Sequence, residues 1–273
     1  MIVTVDTGGT KTLVASFFED GVIGKQIKFP TPKDPADYTA LLRETLKKEF
    51  GNRKIKVVVI AIPGIIKNGV AVWCNNLGWT DFDVKTAFKG VLGDAPIFVE
   101  NDANLAGLAE TRMLKNPIAS SLYVTVSTGI GTGIITGGRI DPGLRHSEAG
   151  RAPVEFDGVV REWESFASGK AIYETYGQYA RDITSNRTWY QIADRISRGF
   201  LVLIPILQPD IIIVGGSIGT YFDKYSEHLI GLLKEHLPSH IIVPKIVQAA
   251  HPEEAVIYGC YYYAIDSFAD KKA

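Results

Sequence analysis

Apolar positions along the chain come in two rhythms, short unbroken runs and helical stripes. Ile2-Val3-Thr4-Val5 reads as a buried strand, and Leu13-Val14-Ala15-Ser16-Phe17-Phe18 as a second. Between them lies Asp6-Thr7-Gly8-Gly9-Thr10-Lys11, so the two runs predict a hairpin closed by a Gly-Gly turn. A strand over Val22 to Phe29 follows, then a Pro-rich turn at Pro30-Thr31-Pro32. Pro35 introduces a helix with Leu41, Leu42, Leu46 and Phe50 at helical spacing. Val57 to Ile62 is wholly apolar and ends at Pro63-Gly64, Thr80-Asp81-Phe82-Asp83 reads as a capped helix start, and Ile97-Phe98-Val99 is a further strand. Apolar runs separated by helices predict a largely parallel sheet with both faces covered.

The opening pattern returns. Val3-Thr4-Val5-Asp6-Thr7-Gly8 lines up with Val124-Thr125-Val126-Ser127-Thr128-Gly129, 121 residues later. Two strand–Gly turn–strand units predict a pseudo-symmetric pair of domains, each presenting a hairpin to a shared cleft. The last third reads as a helix over Tyr190 to Leu207, a buried strand Ile211 to Val214 ending in Gly215-Gly216-Ser217, a helix through Leu229, Leu232 and Leu233, and an aromatic-rich helix from Glu254 to Phe268. No low-complexity tract or long linker separates these parts.

The 273 residues suit two domains, and 46% hydrophobic with 22% charged residues is ordinary for a soluble protein. Twenty-nine basic residues against 30 acidic leave a net charge of −1, which gives no footprint for nucleic acid or an anionic membrane. Cys74 and Cys260 are too few for a disulfide framework or a four-cysteine metal site, and two reduced thiols in a cytoplasmic protein is the simpler reading. Neither a signal peptide nor a membrane span is expected from the hydropathy pattern.

The candidate chemistry sits in the turns. Backbone N–H groups of a Gly-Gly turn can face an anion. Asp6 would repel a phosphate directly, but fits one through a divalent cation. Asp102, in Glu100-Asn101-Asp102-Ala103-Asn104, stands where a strand passes into a helix. It reads equally as a helix cap and as a carboxylate that takes a hydroxyl proton. Ser127 to Gly133 is a Gly-rich hairpin or a second phosphate clamp, and Gly215-Gly216-Ser217 a plain turn or a nucleoside contact where backbone can approach closely. Glu148 and Glu164 read singly as solvated, and Asn76 as part of a loop closed by Trp79; together with Asn101 and Asp102 they could encircle a polyol.

In this order the motifs Asp6 to Lys11, Pro63-Gly64, Asn76-Leu77-Gly78-Trp79, Glu100 to Asn104, Ser127 to Gly133, Glu148-Ala149-Gly150, Glu164 to Gly169 and Gly215-Gly216 resemble the sugar kinases of the ROK type (repressor, open reading frame, kinase), within the actin-like ATPase superfamily. The resemblance spans almost the whole chain. It implies an α/β fold of two actin-like, ribonuclease H-like domains, each a mixed sheet with flanking helices, closing over a central cleft. Their expected extents are 1–112 with the C-terminal helix 255–273, and 113–254. It implies transfer of a phosphoryl group from ATP to a hexose, glucose at its 6-hydroxyl first, with Asp102 as base. An N-acetylmannosamine or N-acetylglucosamine kinase is the alternative, and a silent sugar-binding regulator the alternative of another class. Sugar contacts are expected from Gly64, Asn76, Asn101, Asp102, Glu148, Arg151 and Glu164. Nucleotide contacts are expected from Asp6, Gly8, Gly9, Thr10, Lys11, Ser127, Thr128, Gly129, Gly131, Gly215, Gly216 and Ser217, with Mg²⁺ near Asp6. The phosphate motif begins at Asp6, which is expected to leave no room for the DNA-binding domain of the family's regulators. A homodimer suits the family.

Three positions depart from its pattern. Arg151 stands where the family has His, Val154 to Trp163 lacks the family's zinc-binding cysteine run, and Ser127 replaces a Gly. No structural zinc is expected, and Arg151, a donor only, puts the choice of sugar in doubt.

Overall fold

A computed structural model describes residues 1–251 and 254–269. The chain forms two compact units, one of Met1–Ala109 with the C-terminal helix, the other of the intervening residues from Glu110. The first contains β1 (Ile2–Thr7), β2 (Lys11–Phe17), β3 (Ile23–Pro30), α1 (Pro35–Phe50), β4 (Val57–Ile62), β5 (Ile65–Lys67), β6 (Val70–Cys74), β7 (Trp79–Asp83), α2 (Val84–Phe88), β8 (Ile97–Asn101) and most of α3 (Asp102–Arg112). The second contains β9 (Ser120–Val126), β10 (Ile130–Thr136), β11 (Arg139–Ile140), β12 (Pro153–Phe156), β13 (Val159–Glu162), α4 (Glu164–Ala167), α5 (Gly169–Tyr176), α6 (Asn186–Leu207), β14 (Ile211–Gly215), α7 (Gly216–Gly219), α8 (Ser226–His236) and β15 (Lys245–Gln248). The C-terminal helix α9 (Ala255–Ala269) packs on β1 and β4; residues 270–273 of its expected span lie outside the described residues.

Each unit is built on a five-stranded sheet, and the two sheets share one plan. Their orders are β3-β2-β1-β4-β8 and β11-β10-β9-β14-β15. In both, three strands form an antiparallel meander and two more are added in parallel. The sheets are thus mixed rather than largely parallel. The strands that follow the Gly turns, β2 and β10, return alongside their partners instead of crossing over.

Local sequence accounts for the elements around these sheets. Asp34 caps α1 by accepting from Ala36 and Asp37 N–H at 2.8 and 3.1 Å, and Pro35 fills the first helical position. Tyr38, Leu42, Leu46 and Phe50 then bury one face at i, i+4 spacing. The central strands β4 and β14 are buried throughout, as apolar runs in parallel pairing should be. The expected helix start at Thr80 is instead strand β7, and the helix begins after Asp83, whose carboxylate accepts from Thr86 N–H at 2.9 Å. Cys74 and Cys260 are buried and not joined in a disulfide. Among the described residues no helix is long and apolar enough to cross a membrane.

Candidate active site

Strand register gathers the first set of candidate residues. Asp6 on β1 stands beside Ala61 on β4, and Ala61 beside Glu100 on β8. The three parallel strands therefore end together, and Asp6, Gly64, Asn101 and Asp102 come out at their carboxyl ends, where ligands of α/β sheets bind. Glu100 is buried and accepts from the N–H of Asn101 at 2.9 Å and the amide of Asn104 at 3.1 Å. Asn101 accepts from Asn104 N–H at 3.0 Å and donates to the Gly64 carbonyl at 2.9 Å. Capping of α3 thus falls to Asn101, which has less of its amide left for a sugar than the sequence suggested.

Asp102 opens α3 and accepts from Ala103 N–H at 2.8 Å. Burial raises its pKa to about 6 against the pull of that hydrogen bond. Asp6 is raised further, to about 7, by burial first and by the Asp102 carboxylate second. Two partly buried carboxylates, one of which raises the other, invite a cation. The pair offers hard oxygen donors, and among the described residues no three of His, Cys, Asp and Glu gather around a metal position. That set fits Mg²⁺, which takes one or two carboxylates and fills its other positions with water and phosphate.

The turn after β1 is held from outside. Gly8 N–H is used on the Lys11 carbonyl at 3.0 Å, so this donor serves the turn and not an anion. Thr31 donates to the Gly8 carbonyl at 2.8 Å, and its N–H to that of Thr10 at 3.0 Å. Thr10 and Lys11 are exposed, as is Asn76, whose loop approaches Gly9.

In the second unit the sequence-distant motifs converge on the turn between β9 and β10. A methyl group on Gly169 would lie 2.7 Å from the Ser127 carbonyl, one on Gly216 2.5 Å from that of Val126, and one on Gly150 would collide with that of Ile130. These glycines are thus explained by protein packing. The same holds for Gly215, where Tyr123 fills the space that the sequence reading left to a base or ribose. Ser127 N–H is used on the Gly129 carbonyl, while Thr128 is exposed and Gly131 lies on β10 opposite Thr125.

Glu164 joins this turn to Arg151. One carboxylate oxygen accepts from Ile130 N–H at 3.1 Å and the other meets Arg151 Nη2 at 3.0 Å. Arg151 Nη1 reaches Glu162 at 2.6 Å. Glu148, half-buried, precedes the short turn Ala149–Arg151. Glu164 is placed by its neighbour Trp163, which is fully buried against α6 where Gly199 leaves room for the indole. The stretch where the resemblance would put a cysteine-rich loop is the β12–β13 hairpin, closed by Asp157 and Gly158 at φ 54° and 75°.

A cavity of about 520 Å³ opens beside the same turn. Ser127, Thr128 and Ser217 line it together with Lys170, Tyr173 and Arg181. Tyr173 stacks on Tyr179 at 4.5 Å, and the Arg181 guanidinium lies 5.0 Å from the Tyr179 ring centre. Tyr173, Tyr179, Lys170 and Arg181 escaped the sequence reading, because they sit in no motif and meet only through the fold of α5 and the turn after it. The volume lies within the usual range for small-molecule sites.

Comparison with known proteins bears on the family and the fold. The model of the ROK family matches residues 2–267. A putative fructokinase of Bacillus subtilis is 30% identical over 80% of this chain and 77% of its own length. An N-acetylmannosamine kinase of Yersinia pestis is 29% identical over 95% of this chain and 97% of its own. The crystal structure of a ROK family glucokinase from Streptomyces griseus with glucose and AMPPNP superimposes with a TM-score of 0.79 at 21% identity, covering 97% of this chain and 99% of that one. The shared fold is that of the actin-like ATPases.

Proposed function

The chain belongs to the ROK family and is one of its sugar kinases, and from that premise we propose that it transfers the terminal phosphoryl group of ATP to a hexose hydroxyl, with Asp102 as general base. The observation that carries the reading is the Asp6–Asp102 pair at the carboxyl ends of three parallel strands, beside the Gly8-Gly9 turn. Phosphoryl transfer asks the protein mainly for positioning and for stabilisation of charge.

In this reading Asp102 takes the proton from the attacking sugar hydroxyl, its carboxylate held in place by Ala103 N–H. A pKa of about 6 leaves it ionised at neutral pH yet basic enough to accept. Asp6 would hold Mg²⁺, which supplies neutralisation of the phosphate charge. Gly9, Thr10 and Lys11 are the phosphate contacts of the first unit; in the second unit Thr128 and Gly129 belong to the nucleotide turn. The nucleoside occupies the cavity by Ser217, with Tyr179 and Arg181 offering the flat surfaces against which a base stacks. Of the residues expected to serve the sugar, Gly64, Asn76 and Asn101 belong to the first unit and Glu148 and Glu164 to the second, where Arg151 fixes the Glu164 carboxylate.

Glucose phosphorylated at its 6-hydroxyl is the first sugar to test. N-acetylmannosamine is a second reading, favoured by the likeness to N-acetylmannosamine kinases over nearly the whole chain. ADP release is to be followed with glucose, mannose, fructose, N-acetylmannosamine and N-acetylglucosamine. One sugar is expected to stimulate ATP turnover well above the sugar-free rate. If none of these sugars does so, the kinase reading fails.

A further inference from the structure

Lys33 sits between Pro32 and the helix cap Asp34, an exposed lysine that nothing in the sequence marks. Its ammonium nevertheless donates to two carbonyls from different loops, Gly9 at 2.7 Å and Asn76 at 3.0 Å. Its own carbonyl accepts from the indole N–H of Trp79 at 2.6 Å. Trp79 is buried against Tyr38 at 4.8 Å between ring centres, and Tyr38 shares a hydrogen bond with Thr7 at 2.7 Å. A closed circuit results. It runs from Thr7 along the turn to Gly9, across Lys33 to the Asn76–Trp79 loop, and back through Tyr38.

We propose that Lys33 is a positioning residue that couples the phosphate turn to the sugar loop, so that filling either one favours the other. The proposal rests on the reading of Gly8–Lys11 as a phosphate turn and of the Asn76 loop as part of the sugar site. Lysine suits the task because its compact ammonium carries three donors and no acceptor, enough for two carbonyls at once. Without it the Gly9 and Asn76 carbonyls would lose the one donor that they share. With it, a phosphate that orders the turn orders the Asn76 loop through one side chain. Linkage then requires the sugar to strengthen nucleotide binding by the same factor as the nucleotide strengthens sugar binding.

Lys33→Met removes the donors and keeps the stem; Lys33→Arg keeps donors that can still reach both carbonyls. Calorimetric titration of the intact protein with an Mg²⁺–nonhydrolysable ATP analogue, with and without the preferred sugar, measures the coupling. In the unchanged protein the sugar is expected to tighten nucleotide binding by about fivefold or more. Lys33→Met should reduce that factor to below about twofold, raise KM for both substrates more than it lowers kcat, and melt within a few degrees of the parent; Lys33→Arg should keep most of the coupling. Absence of coupling in the unchanged protein, or equal coupling in Lys33→Met, overturns the proposal. Hydrogen exchange separates it from the kinase reading. The Mg²⁺–nucleotide analogue alone should slow exchange in the segment 74–79 of the parent and not of Lys33→Met. That arm needs no sugar turnover, so it stays decisive even if every sugar fails; unchanged protection in Lys33→Met overturns the Lys33 proposal alone.

Discussion

At the scale of single residues, the two raised carboxylates carry the account. Asp102 must be ionised to act as a base, so kcat at saturating Mg²⁺, nucleotide and sugar, where bound cation keeps Asp6 ionised, should fall about tenfold per unit as pH drops below about 6, and level off above it. A profile that is flat from pH 5 to 8 would remove Asp102 from that role. Asp6 makes a second, opposite statement about stability. Its folded pKa of about 7 exceeds the ordinary carboxylate value, so the folded state holds a proton that the unfolded chain releases. The stability linked to that proton is fully present below the ordinary value and lost as pH rises through about 7. Asp6→Asn should therefore raise the melting temperature at pH 8, by an effect on the order of 1–3 kcal/mol, and change it little at pH 4. A destabilised Asp6→Asn at pH 8 would contradict the electrostatics. Asp6 and Asp102 were legible because each stands at a strand end beside a turn motif. Lys33 was not, because a long side chain chooses partners far along the chain, and its Asn76 carbonyl is 43 residues away.

At the scale of elements, the second Gly turn is defined by what presses on it. Gly169→Ala places a methyl group 2.7 Å from the Ser127 carbonyl, and should cost about 1–3 kcal/mol of stability while raising KM for ATP more than KM for the sugar. Equal effects on both constants would detach this turn from the nucleotide. The β12–β13 hairpin is packed through its aromatic face. Phe156 stacks on Phe166 at 4.6 Å, with the guanidinium of Arg195 5.0 Å from the Phe156 ring centre and that of Arg161 5.3 Å from the Phe166 ring centre. Elemental analysis is expected to find no stoichiometric zinc, and a chelator to leave the melting temperature unchanged. Phe156→Ala should cost about 3–5 kcal/mol. One zinc per chain would contradict this. The hairpin's Asp-Gly corner was readable in principle, whereas the start of α2 misled. Thr80 and Asp81 look like a cap, but the fully buried Trp79 keeps that stretch in a strand and leaves capping to Asp83. Gly215 and Gly216 have packing neighbours that no sequence pattern announces, Tyr123 and the Val126 carbonyl, since sequence shows where a side chain is missing and not which neighbour needs the room.

At the scale of the whole molecule, the sequence echo 121 residues apart proved to be the visible part of a repeated architecture. It was legible because a strand, a Gly turn and a returning strand leave a local pattern. The rest of each sheet, with strands added in parallel after long crossovers, leaves none. The cavity beside the second Gly turn was half-legible for the same reason: Ser127, Thr128 and Ser217 belong to motifs, while Tyr173, Tyr179 and Arg181 are assembled by tertiary folding. Arg151 bridges Glu162 and Glu164 and, in the proposed function, stands beside a residue that serves the sugar. Its consequence for substrate should show as a changed order of kcat/KM across the sugar panel in Arg151→His, and an unchanged order would assign Arg151 to structure alone. The central claim, that this chain is a kinase in which Asp102 removes the sugar proton, is tested most directly by kcat of Asp102→Asn with the preferred sugar. A fall of about 10²–10⁴ with nucleotide affinity retained is the expected result; full activity in Asp102→Asn would contradict it.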